Sequence, residues 1–443
     1  MESLLTTKRT TGLAAALAFA TVFAGCQAPA VDDAGASAES EIVASNGLTM
    51  VNGLSMTNGL SGNGLSGNGL SGNGLSGNGL VMNPLPTALT SSTFLMNSAA
   101  GRSTLSYMIR CALPAGHSVT RTDLTGASFT FAGGIGVAPE WETGSCGGDC
   151  QRWISACMLA HVNTAGVHIP IWIVGQNAGL GWGQSASYPN QEGTFFGNIF
   201  TVSNVNKVDA YYCQGPGFDK SVVDGRIGSA QVGAPYRDLF ADGYCASGYN
   251  CLESDARTNT VADGYKACTM GDGSITAWNQ MVTVWRENKA YNASGTVIAG
   301  QTADGAAIGY DFETNTGSFT STATLSSSSD RAETGSKSLK VVYSGGSGTV
   351  RIASPATLSL AAGKRARFYL HLASSTNVTQ VAAWVHKTNG TETKNTNSSS
   401  DDHLRGSWNH FSITVPSSAT GNQIGLDLTT TGAFTAYIDS VSW

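Results

Sequence analysis

The sequence predicts a multi-domain protein: a disulfide-rich α+β domain followed by a β-sandwich domain, both behind a disordered N-terminal tether. Three observations predict this arrangement. Asn-Gly-Leu recurs through residues 46–80, eight of the nine cysteines lie between Cys111 and Cys268, and short alternating runs fill the last third. The expected segments are a signal peptide at 1–26, a flexible linker at 27–90, the disulfide-rich domain at 91–293, a short linker at 294–304 and the β-sandwich at 305–443.

The composition narrows the classes of function. Charged residues make up 12% of the 443 residues, the formal net charge is −6, and no block of basic residues is present. Nucleic acid is therefore not an expected partner, because it is bound by clustered positive charge. Low charge with abundant Gly is typical of extracellular β-rich proteins.

The N-terminus predicts export. Lys8 and Arg9 precede an apolar run, 13–23, that is too short to span a membrane and is followed by small residues. The segment 23–26, Phe-Ala-Gly-Cys, resembles the lipobox of bacterial lipoproteins, although Phe23 stands where that family usually has Leu. The resemblance implies a lipid on Cys26 and, since Gln27 rather than Asp follows, the outer membrane. Ordinary secretion by signal peptidase is the alternative.

The repeats predict a flexible tether. Four Ser-Gly-Asn-Gly-Leu units occupy residues 61–80, and a Leu every five residues fits neither the helical nor the strand period. Asn-Gly and Ser-Gly favour turns, and each Gly adds entropy to the unfolded chain. A pentapeptide-repeat β-helix also has Leu at this interval, but four units are too few to bury a continuous core. Repeated Asn-Gly-Leu leaders also resemble those of secreted myxobacterial proteins.

The eight cysteines of the middle domain predict four disulfides of unassigned pairing, since an exported chain folds under oxidising conditions. They are Cys111, Cys146, Cys150, Cys157, Cys213, Cys245, Cys251 and Cys268. A helix is expected from Asp149, as N-cap, to about Asn163. It would place Cys150 and Cys157 roughly 10 Å apart, so each must pair with a cysteine off the helix.

The coarse pattern of the middle domain is mixed. Residues 104–111 predict a helix, and residues 128–131, 169–174 and 280–285 predict strands. On the helix that begins at Asp149, an i, i+3, i+4 pattern places five residues on one buried face. They are Cys150, Ile154, Cys157, Met158 and His161.

Chemistry in the middle domain is weakly indicated. The segment 146–150, Cys-Gly-Gly-Asp-Cys, could bind a metal, but disulfides are favoured in an oxidising compartment, and His161 is expected to be a core histidine rather than a ligand. His-Glu-x-x-His and Gly-x-Ser-x-Gly motifs are absent from the sequence. Glu140, Glu142 and Glu192 lie beside aromatic residues, which raise carboxyl pKa values, so they are candidate catalytic acids of a glycan-cleaving enzyme. The alternative is that they are surface acids.

Seven strands are expected in the β-sandwich, at 338–343, 349–353, 366–372, 378–386, 408–415, 424–428 and 434–441. Alternation turns apolar residues such as Phe368 and Val385 inward. The outward set contains aromatic and hydrogen-bonding side chains, and we expect it to form one ligand-binding face. Its members are Arg367, Tyr369, His371, Trp384, His386 and Trp408. Such a mixture suits a sugar, whose CH face stacks on aromatic rings and whose hydroxyls bond to polar side chains. The alternative is that the two indoles cap the core.

The module from about 305 to 443 resembles the jelly-roll carbohydrate-binding modules near families 4 and 9. The resemblance is carried by Tyr-Asp-Phe-Glu at 310–313, Glu-Thr-Gly-Ser-Lys-Ser-Leu-Lys-Val at 333–341, Trp-Asn-His-Phe at 408–411 with Val-Pro at 415–416, and Tyr-Ile-Asp-Ser-Val at 437–441. It implies polysaccharide or another glycan as ligand and a structural Ca²⁺ held by Asp311, Glu313 and Asp439. Ordinary surface acids are the alternative for these three residues.

Our leading hypothesis is a surface-tethered lipoprotein, anchored in the membrane by its lipid, that binds polysaccharide through the C-terminal β-sandwich and needs no organic cofactor. A glycoside hydrolase or lyase with its catalytic site in residues 91–293 is the second hypothesis, because such modules often accompany these enzymes. A structural or adhesive matrix protein is the third.

Overall fold

A computed structural model describes residues 48–52, 82–91, 93–162, 169–181, 183, 185–202, 208–215, 217–218, 249–253, 265–270, 279–292, 296–373, 376–395 and 406–443. The described residues all belong to one compact unit, Ile42–Trp443. Within these ranges, no helix has both the length and the apolar character that a membrane span requires. The predicted signal peptide, Cys26 and most of the repeats lie outside the described residues.

Three α-helices occur in the described part of the middle region: α1 (Leu85–Ala88), α2 (Ala99–Ala112) and α3 (Gly148–Ala160). Two 3₁₀ helices, Phe94–Asn97 and Pro139–Glu142, accompany them. Ser98 caps α2, since its hydroxyl accepts from the Gly101 amide. The predicted cap of α3 is wrong: Gly147 is the N-cap. Asp149 lies inside the first turn, where its negative charge interacts favourably with the helix dipole and its carboxylate accepts from Gln280 at 3.1 Å.

An antiparallel sheet, here called sheet A, packs against α3. Its strand order is β1-β4-β9-β5-β6. The strands are β1 (Leu48–Asn52), β4 (Ile169–Val174), β5 (Asn190–Val202), β6 (Val208–Gln214) and β9 (Met281–Arg286). Three hairpins complete the region: β2 (Ser118–Thr122) with β3 (Ser128–Ala132), β7 (Tyr249–Glu253) with β8 (Tyr265–Met270), and β10 (Ala290–Tyr291) with β11 (Val297–Ile298).

Strand β1 comes from the stretch predicted to be a flexible linker, so that prediction is wrong for residues 48–52. Leu-Thr-Met-Val-Asn has two β-branched residues and no internal Gly, unlike the later repeats, and β-branched residues suit a strand. It forms the edge of sheet A and pairs with β4, with Met50 opposite Ile171. The predicted linker at 294–304 likewise contains strand β11.

The C-terminal region is a β-sandwich. One sheet, here called sheet B, has the order β14-β15-β22-β17-β20, with β12 also pairing β22. Its strands are β12 (Ile308–Tyr310), β14 (Thr324–Ser328), β15 (Ser338–Tyr343), β17 (Arg365–Leu372), β20 (Trp408–Thr414) and β22 (Phe434–Ser442). The other, sheet C, has the order β13-β16-β21-β18-β19. Its strands are β13 (Thr320–Ser321), β16 (Gly348–Ala353), β18 (Val378–Lys387), β19 (Glu392–Asn395) and β21 (Gly421–Thr430).

The alternation that predicted the sandwich is confirmed on its inner faces. Phe368 and Leu370 of β17 and Val381 and Val385 of β18 are at most 1% exposed and belong to one core. A separate core lies between α3 and sheet A, and Ile154, Ile171 and Val282 are part of it. Burial on this scale is the main stabilising contribution to both regions.

In the described part of the middle region, two disulfides involve cysteines of the helices. Cys157 of α3 bonds to Cys111 of α2, with Cα atoms 6.0 Å apart, and Cys150 bonds to Cys146 just before α3, at 5.2 Å. The prediction that both helical cysteines pair off the helix is confirmed. Cys245 and the side chains of Cys213, Cys251 and Cys268 lie outside the described residues, although the backbones of Cys251 and Cys268 face each other across β7 and β8.

Candidate functional site

The six residues predicted to share one binding face are divided between the two sheets of the sandwich. Sheet B carries Arg367, Tyr369, His371 and Trp408 on its outer face. Sheet C carries Trp384 and His386 on its own outer face. The prediction of a single face is therefore wrong, because alternation tells which residues leave the core but not which sheet a strand joins.

The aromatic rings on the outer face of sheet B are buried. Trp408 and Tyr369 are 3% exposed and His371 is 2% exposed. The imidazole of His371 lies edge-on to Trp408, with ring centroids 5.5 Å apart, and 6.0 Å from the ring of Tyr437. Burial, aided by the charge of Arg331, lowers the pKa of His371 to about 4. At neutral pH this ring is an uncharged part of the packing.

The middle region lies against this side of the sandwich. Glu333, in the loop before β15, accepts hydrogen bonds from Asn190 at 2.5 Å and from Asn288 at 3.3 Å. Strand β5 also contacts β20. Sheet B is therefore joined to sheet A through polar groups that are buried from solvent.

A second carboxyl group extends that junction. Asp439 accepts from the amides of Glu333 and Thr334 at 2.8 and 3.1 Å, and the Ser440 hydroxyl donates to Glu333. Burial raises the pKa of Glu333 to about 7, and burial together with the charge of Glu333 raises the pKa of Asp439. Two acids that share a dry site resist ionising together.

The outer face of sheet C holds a network of four charged side chains. Arg351 donates to both oxygens of Asp427 at 2.8 Å and to both oxygens of Glu392 at 2.9 and 3.0 Å. The Lys394 ammonium donates to Asp427 Oδ2 at 2.5 Å, and this oxygen also accepts from Arg351. Hydrogen bonds from Arg351 and Lys394 outweigh burial and lower the pKa of Asp427. Two cations and two anions thus form a neutral, multiply bonded unit.

Trp384 lies beneath this network. The guanidinium carbon of Arg351 is 4.4 Å from the ring centroid, a cation–π contact. Gly425 is opposite Trp384 on β21, and a Cβ there would lie 2.5 Å from the indole ring and 2.1 Å from the Ile352 carbonyl oxygen. The absence of a side chain at Gly425 lets the indole lie close to the sheet, where it is 1% exposed.

His386 continues the same face toward the end of β18. Its Nδ1 is 3.1 Å from the Asn422 side-chain oxygen, and its neighbours across the sheet are Glu392 and Gln423. His386 and Gln423 are half-buried, and Gln380 at the other end of β18 is exposed. Side chains that can bond to hydroxyl groups therefore extend along β18.

Sequence reasoning missed the charged members of this face, Arg351, Asp427, Glu392 and Lys394. A signal was present for the first two, because each lies between two apolar residues in a strand that the sequence predicted. Arg351 lies between Val350 and Ile352, and Asp427 lies between Leu426 and Leu428. Opposite charges at outward positions of two predicted strands indicate cross-strand pairing.

The three predicted calcium ligands do not form one group. Glu313 accepts from the Ser336 amide and hydroxyl at 2.7 and 2.6 Å and from the Lys337 amide at 3.0 Å, whereas Asp439 binds the amides of residues 333 and 334. Asp311 is exposed and accepts from the Glu313 amide. Calcium binding itself stays a prediction.

Among the described residues, metal-capable side chains converge at Cys111, Cys157 and His161. Cys111 and Cys157 are joined in a disulfide, and a cysteine binds a metal as a thiolate, so neither sulfur is available as a ligand. His161 is fully buried and its Nδ1 is 2.7 Å from the Cys157 carbonyl oxygen, as expected for a core histidine.

The three candidate catalytic acids lie in different surroundings. Glu192 is fully buried and bonds Arg286 at 2.5 Å, so its carboxylate is engaged in an ion pair. Glu140 and Glu142 flank the buried Trp141 in a 3₁₀ helix, where Glu140 is exposed and Glu142 lies 2.8 Å from His117 Nδ1. Neither arrangement pairs two carboxylates across a described cleft, and catalysis in this region stays a hypothesis.

Solved structures similar to this chain include carbohydrate-binding modules of the β-sandwich type. One such module has 21% identity over 40% of this chain and 71% of its own, with a TM-score of 0.27. A xylan-binding domain of family 22 has 20% identity over 30% of this chain and 89% of its own, with a TM-score of 0.24. A family 61 module in complex with β-1,4-galactotriose has 16% identity over 30% of this chain and 92% of its own, with a TM-score of 0.23. At these values the matches do not establish what this chain binds.

No protein-family model matches the sequence, and no curated protein is similar to it. The assignment of the C-terminal region as a β-sandwich depends on the observed strand pairing.

Proposed function

We propose that the chain is an exported lipoprotein, tethered at the outer membrane or cell surface, whose β-sandwich binds polysaccharide through the outer face of sheet C. The proposal includes the jelly-roll relationship to families 4 and 9. One observation supports the choice of face: the aromatic rings on the outer face of sheet B are buried, whereas sheet C presents exposed hydrogen-bonding side chains. The Arg351 side chain is 44% exposed and that of Lys394 is 37% exposed.

The chemistry of this face suits hydroxyl-rich ligands. Four of the five N–H groups of Arg351 are used within the network, so the side chain is held in place before a ligand arrives. Pre-positioned polar groups lose little entropy on binding. The outer face of sheet C extends across several strands, which suits a chain of sugars better than a single compact molecule.

The binding test uses affinity electrophoresis of the whole mature chain in gels that contain single polysaccharides, including xylan and β-1,4-galactan. We expect at least one polymer to retard the protein and Arg351→Ala to weaken that retardation by about tenfold, because it releases Glu392 and Lys394 from their positions. Arg365→Ala, an arginine on sheet B, is the matched control. His386→Ala and Gln380→Ala test the face without touching the ion pairs. Equal retardation of all four variants would contradict the assignment of the face.

The anchor is tested by labelling cells with palmitate. We expect label in the wild-type protein and none in Cys26→Ala. Label in both, or in neither, would remove the lipid from the proposal and leave a secreted protein.

A further inference from the structure

Sheet A carries an aromatic cluster on the face that points away from α3. Trp172 of β4 and Trp285 of β9 are directly opposed cross-strand partners, so both indoles leave the sheet on the same side. Ile171, Ile173 and Val284 leave it on the other side and join the main core. Trp172, Trp285, Val174 and Tyr188 instead form a small cluster of their own.

Two rings of this cluster are accessible and aligned. Trp172 and Tyr188 are half-buried, their planes differ by 17°, and their centroids are 6.3 Å apart. The indole Nε1 of Trp172 donates to the Gly183 carbonyl at 2.9 Å, which fixes the ring orientation. Trp285, 1% exposed, packs within the same cluster. The result is a pair of near-parallel rings with little conformational freedom to lose.

Polar groups border these rings. Glu287 lies two residues beyond Trp285, on the same side of the extended chain. Its carboxylate accepts from Lys289 at 2.7 Å and from the Tyr291 hydroxyl at 2.8 Å. The side chains of Glu287 and Lys289 remain 24% and 36% exposed. Burial, the Glu287 carboxylate and, to a smaller extent, Tyr188 raise the pKa of Tyr291, so the phenol stays a hydrogen-bond donor.

We propose that Trp172 and Tyr188, bordered by Glu287, Lys289 and Tyr291, form a second glycan-binding site that is independent of the face on sheet C. The aligned rings offer a surface for the CH faces of sugar rings, and the carboxylate, ammonium and phenol offer partners for the hydroxyls.

The charge of the site selects among ligands that stack. Nucleic-acid bases also stack on such rings, but the nearby Lys289 is neutralised by Glu287 and the net charge of −6 repels phosphates. A glycan without phosphate is therefore the ligand class. Two sites on one chain that engage one polymer would add avidity, since the second contact forms at high local concentration.

The test uses the whole mature chain and affinity electrophoresis against xylan, β-1,4-galactan, β-glucan and mannan. We expect Tyr188→Ala to weaken binding to at least one polymer about fivefold to tenfold, and Glu287→Gln to weaken it by a smaller factor. Tyr188→Phe keeps the ring and is expected to keep the affinity. Tyr343→Ala, a half-buried tyrosine of the sandwich, is the matched control, and circular dichroism checks that each variant folds.

The outcomes separate the two sites. Loss of binding in Arg351→Ala with no change in Tyr188→Ala overturns this proposal and leaves the sandwich face standing. Loss in Tyr188→Ala with no change in Arg351→Ala does the reverse. If the wild-type chain binds none of the four polymers, or if Tyr188→Ala and Tyr343→Ala weaken binding equally, the site on sheet A is overturned.

Discussion

The two outer faces of the sandwich carry similar residues and have opposite surroundings. On sheet B, Tyr369, His371 and Trp408 are buried, and the neighbouring Glu333 bonds to Asn190 of the middle region. On sheet C, Arg351 and Lys394 remain exposed above a buried indole. The comparison teaches that an outward row of aromatic and polar residues marks a surface that contacts something. Whether the contact is another part of the same chain or a ligand depends on what the fold places there.

The largest expected effect comes from a substitution that removes the contact between Glu333 and the middle region. Glu333→Ala removes the acceptor of Asn190, Asn288 and the Ser440 hydroxyl, and buried donors without partners are costly. We expect the free energy of unfolding to fall by about 2–4 kcal/mol in urea titrations. Glu140→Ala, at an exposed glutamate, is the control and should change it by less than about 0.5 kcal/mol. A loss as small as the control's would show that the junction contributes little.

A smaller effect is expected on the open side. Gly425→Ala places a Cβ against the Trp384 ring and the Ile352 carbonyl, which forces the indole and the Arg351 network to shift. We expect a loss of about 1–3 kcal/mol and a changed near-ultraviolet circular dichroism signal. Gly346→Ala, whose added Cβ meets no atom within 4 Å, is the matched control. An unchanged spectrum for Gly425→Ala would mean that the indole does not depend on that glycine.

The pH dependence of stability separates the two faces. Glu333 has a pKa of about 7 in the folded protein against an ordinary 4.5, so its folded form binds more protons and stability falls as pH rises through that window. His371 acts in the opposite direction. Its pKa is about 4 in the folded protein against an ordinary 6.5, so the unfolded chain binds more protons and stability falls as the pH falls from about 6.5 to 4. Asp439 has the same sign as Glu333. On sheet C, the lowered pKa of Asp427 matters only below pH 4.

We therefore expect the free energy of unfolding to decrease as the pH rises from 5 to 7, since the two acids outweigh the imidazole. In Glu333→Gln the slope should be shallower, because one of the two acids is lost and Asp439 no longer has the charge of Glu333 to raise its pKa. Asp427→Asn should keep the wild-type slope even though it lowers stability. A slope that is unchanged in Glu333→Gln would exclude this carboxyl as its source.

The smallest expected effect concerns calcium. If Ca²⁺ binds at Asp439 or Glu313, adding it at about three times its dissociation constant should raise the free energy of unfolding by about 0.8 kcal/mol. Differential scanning calorimetry with and without EDTA measures this, and Mg²⁺ serves as the control cation. Identical transitions in all three conditions would remove calcium from the account.

Local structure followed closely from the sequence. The strand predicted at residues 338–343 is observed as Ser338–Tyr343, and the helical prediction that kept Cys150 and Cys157 apart is confirmed by their partners. Such features depend on neighbours a few residues away, through alternation, helical period and geometry. Strand β1 and the cap of α3 were mispredicted, since an edge strand depends on an available partner and Gly147 lacks the side chain that usually signals a cap.

The sequence by itself determined the inward residues of β17 and β18 and the separation of the cysteines from the sandwich. Only the tertiary structure decided that β17 and β18 belong to different sheets, that Asn190 and Asn288 bond to Glu333, and that Arg351 lies over Trp384. The physical reason is range. Alternation is a property of one strand, whereas sheet membership and burial of an outer face depend on contacts between residues that are far apart along the chain.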